Sequence, residues 1–301
     1  MKSIERAWEM TTEFEKHRLT YYHDLVSERL ESSFAKNIRE VSEAGYSHQL
    51  DETCVVAIPV SGGMDSLTLA QMAKESRCRY RLMYFDLKQS YAWAEIATCK
   101  KLFADAGVML EIYELQLPIS YHDYILSGRN AIIILEAARV LEEAGQWGEI
   151  WFGNTLGESP ALGGDKSKRF LNDIQTMLTL MGQDVHIVQP LLGLEKRDIV
   201  RYWQERDVDR MRHSRTCFGN TLGQCGKCQA CFLKWSLFAT MGLAWEDVFP
   251  ELDFPDELLQ VNESAMLEAI ELGHFDQYSP VRVRRVLDAL LLYRSMGHVY
   301  N

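Results

Sequence analysis

The sequence predicts a doubly wound parallel α/β sheet, with helical appendages at both ends and a Cys₄ knuckle. Three observations predict it. Short apolar, β-branched runs alternate with helical patterns between residues 53 and 191, the signature of strands covered by helices on both faces. The run Val55-Val56-Ala57-Ile58-Pro59-Val60 leads into Ser61-Gly62-Gly63-Met64-Asp65-Ser66 and then a helix. Four cysteines crowd into residues 217–231.

The strands are expected at 54–60, 79–86, 109–115, 148–154 and 184–190, and the helices at 66–76, 91–106, 130–145, 167–181 and 195–206. Together they make a domain spanning 51–210. Residues 1–50 mix charged and apolar residues at helical spacing, with no Gly or Pro from Ile4 to Ala44, and read as a helical N-terminal extension. The cysteine segment occupies 211–242. Residues 243–301 read as a helical C-terminal appendage, acidic from Trp245 to Gln277 and basic again at Arg282, Arg284, Arg285 and Arg294. Either extension can pack on the core, on a second copy in a homodimer, or on a partner protein.

Composition narrows the function classes. The formal net charge is −11, which disfavours a grip on long nucleic acid. No apolar run approaches the ~20 residues of a membrane span, and the first residues lack a signal-peptide apolar region. The expectation is a cytoplasmic enzyme of small molecules. Cys54, Cys78 and Cys99 stand apart among apolar or helical neighbours and read as reduced thiols.

The turn Ser61–Ser66 is the first candidate site. Adjacent glycines let the backbone bend sharply and approach a ligand closely. The following helix aims its free N–H groups and positive dipole end at the turn, which suits phosphate. The lysine of a Walker loop is absent, so γ-phosphate transfer of that type is disfavoured. In such sheets ligands bind beyond the carboxyl ends of the strands, so the other strand ends supply further candidates. Asp86 and Gln89 follow the second strand, where a ribose or adenine would lie, although Ser90 also suits a plain N-cap there. Arg129 and Asn130 open a helix and can hold phosphate or a carboxylate. Asn154 ends the fourth strand. A glycine-rich charged loop from Leu156 to Lys168, with Asp165, follows it. Lys196 lies in the first turn of the helix after the fifth strand, where a cation can neutralise developing phosphate charge.

The cysteines read Cys217-x7-Cys225-x2-Cys228-x2-Cys231. Four thiolates threaded by glycines can close a tetrahedral site, and an iron–sulfur cluster is the rival reading.

Ser61-Gly62-Gly63-Met64-Asp65-Ser66 resembles the pyrophosphate loop of the N-type ATP pyrophosphatases. Together with Phe85-Asp86…Gln89, Gly128-Arg129-Asn130, Gly153-Asn154, Pro190-Leu191…Lys196 and Cys228-Gln229-Ala230-Cys231, it is similar to the 7-cyano-7-deazaguanine synthase family over about residues 54–240. The resemblance implies ATP cleaved between its α and β phosphates, with Mg²⁺ and a structural Zn²⁺. It implies a 7-carboxy-7-deazaguanine substrate, carried through an adenylate and ammonia to the nitrile. Ser61, Gly62, Gly63, Met64, Asp65, Ser66, Asp86 and Gln89 would hold the nucleotide. Asp65, Arg129 and Lys196 would carry the chemistry, with Asp65 as a Mg²⁺ ligand or loop-orienting group. Asn130, Asn154, Asp165 and Arg169 would meet the substrate, and Cys217, Cys225, Cys228 and Cys231 the zinc. The stretch Glu158 to Phe170 departs from the family pattern, with only Asp165, an arginine and Phe170 corresponding.

Overall fold

The computed structural model describes residues 54–115, 128–155, 164–249, 251–272 and 279–297. The expected helices of residues 1–50 and most of the 156–168 loop, Glu158 included, lie outside the described residues.

Five parallel strands form one sheet: β1 Cys54–Pro59, β2 Tyr80–Asp86, β3 Leu110–Glu114, β4 Trp147–Trp151 and β5 Val185–Val188. Their order is β3-β2-β1-β4-β5. The chain builds outward from β1 in one direction, then returns to β1 and builds outward in the other. Between β1 and β4 the winding reverses, which opens a crevice at the strands' carboxyl ends. The register Ala57↔Ile150 on one side of β1 and Ile58↔Leu82 on the other sets that edge.

Central β1 is buried on both faces, which is why it reads as a continuous apolar run rather than an alternation. Val55 and Ala57 join a buried cluster with Ile134, Ala138 and Leu141 of α3 (Arg129–Glu143) and Leu171 of α4 (Lys168–Leu180). Val56 and Ile58 point the other way. There they meet α1 (Met64–Glu75), α2 (Ala92–Leu102), α5 (Lys196–Gln204) and the C-terminal helices. Helix α1 begins at Met64, two residues before the sequence-based boundary, so Asp65 and Ser66 sit in its first turn.

The short α6 (Val208–Arg212) leads to the cysteine segment, and α7 (Gln229–Thr240) starts on it. Helices α8 (Asp256–Leu272) and α9 (Pro280–Ser295) complete the described chain. Trp235 of α7 lies 5.5 Å from the ring of Tyr293, and Phe254 lies 5.3 Å from both Phe232 and Tyr293. This aromatic cluster is continuous with the core under β1. Among the described residues no helix is long and apolar enough to cross a membrane.

Candidate active site and cysteine centre

The turn after β1 is built by local bonds. Gly62 takes φ +72°, and a Cβ there would stand 3.1 Å from Thr98 Cγ2 of α2. Ser66 Oγ donates to Gly63 O at 3.0 Å, and Ser61 N donates to Ser66 Oγ at 3.4 Å. Ser66 therefore fastens the turn to the helix it opens. Gly62→Ala is expected to cost about 1–2 kcal/mol from the left-handed backbone alone, with further loss from the Thr98 contact. Thermal denaturation against wild type measures it, and an unchanged midpoint would show the turn to be pliable.

Lys196 reaches the same helix turn from α5. Its Nζ donates to Asp65 Oδ2 at 2.5 Å and Oδ1 at 2.6 Å, with both side chains 18% exposed. A capping box fixes the start of α5: Glu195 N donates to Asp198 Oδ2 at 2.8 Å, and both residues are buried. Lys196 is thus held on a rigid helix end, 131 residues from its partner in sequence.

A cleft of about 770 Å³, counting its open mouth, lies along this edge. Ser61, Gly63, Asp65 and Ser66 form one wall, and Gln89, Arg129 and Asn130 another. Gln89 Oε1 and Arg129 Nε are buried and meet no hydrogen-bonding group among the described residues, while the Arg129 guanidinium also bonds the Tyr91 hydroxyl. The structure therefore gathers the loop, Gln89, Arg129 and Asn130 around one space, with Lys196 gripping Asp65 in its wall.

Other sequence candidates have different local duties. Asp86 shapes the turn after β2, accepting from Lys88 N at 2.7 Å and Lys88 Nζ at 3.2 Å. Asn130 Nδ2 donates to Asp165 O at 3.2 Å, and Asn154 Nδ2 to Lys166 O at 3.0 Å. The two asparagines clamp the 165–166 turn and hold Lys166 in the cleft wall. Asp165 enters through its backbone carbonyl. Arg169 is not brought to the cleft: its side chain is 88% exposed and lies 3.9 Å from Asp173. Ser167 caps α4 by accepting from Phe170 N, and that phase turns Arg169 to solvent.

Sequence reasoning missed Glu95 and Tyr84. Glu95, on α2, lines the cleft and accepts from Tyr84 Oη at 2.9 Å. Burial pushes its carboxyl above the usual range, against the pull of the Tyr84 bond and the charges of Arg129 and Arg215. No spacing singles it out; α2 must lie across the end of β2 to place it. Because the folded state raises this pKa, the fold tolerates the neutral acid better than the anion. That contribution is fully present below the unfolded carboxylate pKa of about 4.3 and lost as pH rises through the folded value. Glu95→Gln is therefore expected to raise the melting temperature at pH 7, with the gain vanishing below about pH 4. A melting temperature lowered at pH 7 would mean that the anion's partners outweigh burial.

The four cysteine sulfurs lie within 4.8 Å of one another. Cys225 and Cys231 Sγ are 3.7 Å apart, close to the ~3.8 Å separation that 2.3 Å bonds to one tetrahedral ion require. Gly219 N and Cys225 N donate to Cys217 Sγ at 3.1 and 3.3 Å, the amide bonding that steadies thiolate ligands. Hydrogen bonds from Cys217 and Cys231 pull the Cys228 thiol below its usual range, whereas bonds to Cys217 and Cys228, with burial, push the Cys231 thiol up. A bound cation would relieve that conflict by drawing off the remaining protons. The donor set fits a metal ion.

The family model described as "Queuosine biosynthesis protein QueC" matches residues 120–242. A curated 7-cyano-7-deazaguanine synthase of Persephonella marina is 23% identical over 220 residues, 64% of this chain and 96% of the relative. That of Campylobacter fetus is 25% identical over 203 residues, 58% of this chain and 88% of the relative. The chain is thus similar, at low identity, to 7-cyano-7-deazaguanine synthases. The stretch matched by the family model contains Arg129, Asn154, Lys196 and all four clustered cysteines. Among solved structures, the U34-tRNA thiolase NcsA of Methanococcus maripaludis is 14% identical, covering 89% of this chain and 82% of its own, with a TM-score of 0.39. The NH3-dependent NAD synthetase of Campylobacter jejuni is 13% identical, covering 90% and 98%, with a TM-score of 0.41.

Proposed function

We propose that the protein is an ATP-dependent, AMP-forming ligase that adenylates the carboxylate of 7-carboxy-7-deazaguanine and converts it with ammonia to amide and nitrile. The observation that carries the reading is the single cleft that unites the Ser61–Ser66 turn with Arg129 and the Lys196–Asp65 pair. A carboxylate oxygen of the substrate attacks the α-phosphorus, and the bond to the β-phosphate oxygen breaks. The turn amides and the α1 dipole hold the departing pyrophosphate. Arg129 and Lys196 offset the charge that builds on the phosphates. Ammonia displaces AMP and gives the amide. A second ATP adenylates the amide oxygen, and loss of AMP leaves the nitrile.

Asp65 is the loop's carboxylate and would hold Mg²⁺ or, through its pair with Lys196, orient the loop. When bound, the ion supplies Lewis-acid stabilisation of phosphate charge. Cys217, Cys225, Cys228 and Cys231 would hold Zn²⁺ as a closed structural site with no open position. Their sulfur spacing favours a single ion over an iron–sulfur cube, in which each cysteine ligates a separate iron and the sulfurs stand further apart. The small-molecule reading also agrees with the net charge of −11.

Incubation of the full chain with ATP, Mg²⁺, 7-carboxy-7-deazaguanine and ammonia is expected to yield AMP and pyrophosphate, with two ATP consumed per nitrile. Release of ADP and phosphate would overturn the reaction class. The solvent-facing Arg169 favours asking also about the acceptor. AMP release that depends on the deazaguanine but leaves ammonia unused would replace ammonia with another nucleophile.

A further inference from the structure

The cleft and the cysteine centre are joined by a residue that belongs to neither motif. Arg215 is 3% exposed. Its backbone N–H donates to Gly62 O, in the middle of the phosphate turn, at 2.7 Å. Its guanidinium faces the cysteine loop and donates to three carbonyls there: Cys217 O, Gly219 O at 2.5 Å and Thr221 O at 3.2 Å. That loop is shaped around the sulfur of Cys217, which accepts from Gly219 N and Cys225 N.

Helix α2 braces the same junction. The Arg215 guanidinium lies 5.8 Å from the ring centre of Tyr91, whose ring is 5.8 Å from that of Phe218. Trp93 Nε1 donates to Asn220 Oδ1. The charge of Arg215 also reaches Glu95 in the cleft wall. One side chain therefore reads the cysteine loop, while its own backbone holds the carbonyl of the glycine that gives the phosphate turn its left-handed bend.

We propose that Arg215 is a positioning residue that couples metal loading of the cysteine centre to the pyrophosphate affinity of the turn. The proposal rests on the reading of that turn as a pyrophosphate site and of the cysteines as a zinc site. With Cys217 ligated, residues 217–221 hold their carbonyls in the arrangement the guanidinium fork requires. Without the ion those carbonyls are no longer fixed, Arg215 loses its anchorage, and Gly62 loses a fixed partner. The turn amides then spend less time aimed at one point. Two sites joined in this way share a coupling free energy.

The test is calorimetric titration of the full chain with magnesium pyrophosphate below its melting transition, zinc-loaded and chelator-stripped, for wild type, Arg215→Ala and Arg215→Lys. Hydrogen exchange over residues 60–66 is measured on the same samples. Stripping is expected to weaken wild-type binding about tenfold, the scale of one charged hydrogen-bonded anchor. Loaded Arg215→Ala should keep one zinc per chain yet bind about as weakly as stripped wild type, and stripping it should change affinity less than about twofold. Arg215→Lys should fall between, since an ammonium cannot span three carbonyls as the planar fork does. Exchange at 60–66 should quicken in stripped wild type and in loaded Arg215→Ala alike. Wild-type affinity in loaded Arg215→Ala, or an equal effect of stripping in variant and wild type, would overturn the coupling. If Arg215→Ala loses its native circular dichroism, Arg215→Lys carries the comparison by the same criteria. If loaded wild type binds no pyrophosphate, the reading of the turn fails, and the exchange data alone decide the coupling: unchanged rates overturn it.

Discussion

Lys196→Ala is expected to lower kcat by about 10²- to 10³-fold, the cost of removing one group that stabilises charge in the transition state. The expectation comes from where the lysine is held. Its ammonium meets both oxygens of Asp65 at 2.5–2.6 Å, and Asp65 belongs to the first turn of α1, beside the phosphate turn. The capping box at Glu195 and Asp198 keeps the base of the side chain from wandering. The pair is 18% exposed on both sides, so the carboxylate left behind would be poorly solvated, and the variant should also melt at a lower temperature. Asp65→Asn should lose activity as well, and the double variant should be little worse than either single one, because the two act as a unit. Lys196→Arg should not restore the rate, since a planar guanidinium cannot occupy the position of a compact ammonium. Steady-state AMP formation and thermal melts check all four. A Lys196→Ala enzyme with unchanged kcat and a lowered melting temperature would make the lysine a structural group only.

The parts of this site that were legible in the sequence are those whose signal is local. The strand-turn-helix at 54–75 is one continuous stretch, and burial of β1 on both faces forces a β-branched run that needs no partner to be recognised. The cysteines carry their spacing with them. What could not be read depends on elements meeting across the fold. Glu95 acquires its place because α2 crosses the end of β2, where Tyr84 can donate to it. Arg215 has backbone carbonyls as partners, and carbonyls leave no mark on residue identity. Asn130 and Asn154 were visible as polar residues at the sheet edge. That their amides are spent on the 165–166 turn follows only from the path of that turn. Arg169 shows the converse error: a basic residue in the right stretch, rotated to solvent by the Ser167 cap. The C-terminal helices read as an appendage from their charge pattern. Their apolar residues nevertheless complete the core beneath β1, since a helix with paired surface charges can still bury its other face.

Cys231→Ser is expected to lose the metal and about 6–10 °C in melting temperature. Cys231 is fully buried in the first turn of α7, and Trp235 follows it one helical turn later. Trp235 packs edge-on to Trp245 at 6.2 Å and to Tyr293 at 5.5 Å, while its neighbour Phe232 meets Phe254 at 5.3 Å. An ion held by Cys217, Cys225, Cys228 and Cys231 would thus pin the helix that carries this aromatic cluster. Apparent zinc-binding free energies in small structural sites reach about 10–16 kcal/mol and act as folding energy. Here the hydrophobic core supplies an independent share, so a loss of about 3–5 kcal/mol is the reasonable scale. At about 2 °C per kcal/mol, the lower end for large domains, that gives about 6–10 °C. Chelation of wild type should reproduce it, and chelation of Cys231→Ser should add nothing. Cys78→Ser, outside the cluster, should retain one zinc per chain. Metal analysis with near-ultraviolet circular dichroism distinguishes the outcomes: a Cys231→Ser protein that keeps its ion and its aromatic signal would place the metal on the other three cysteines, and α7 would then be held by its rings alone.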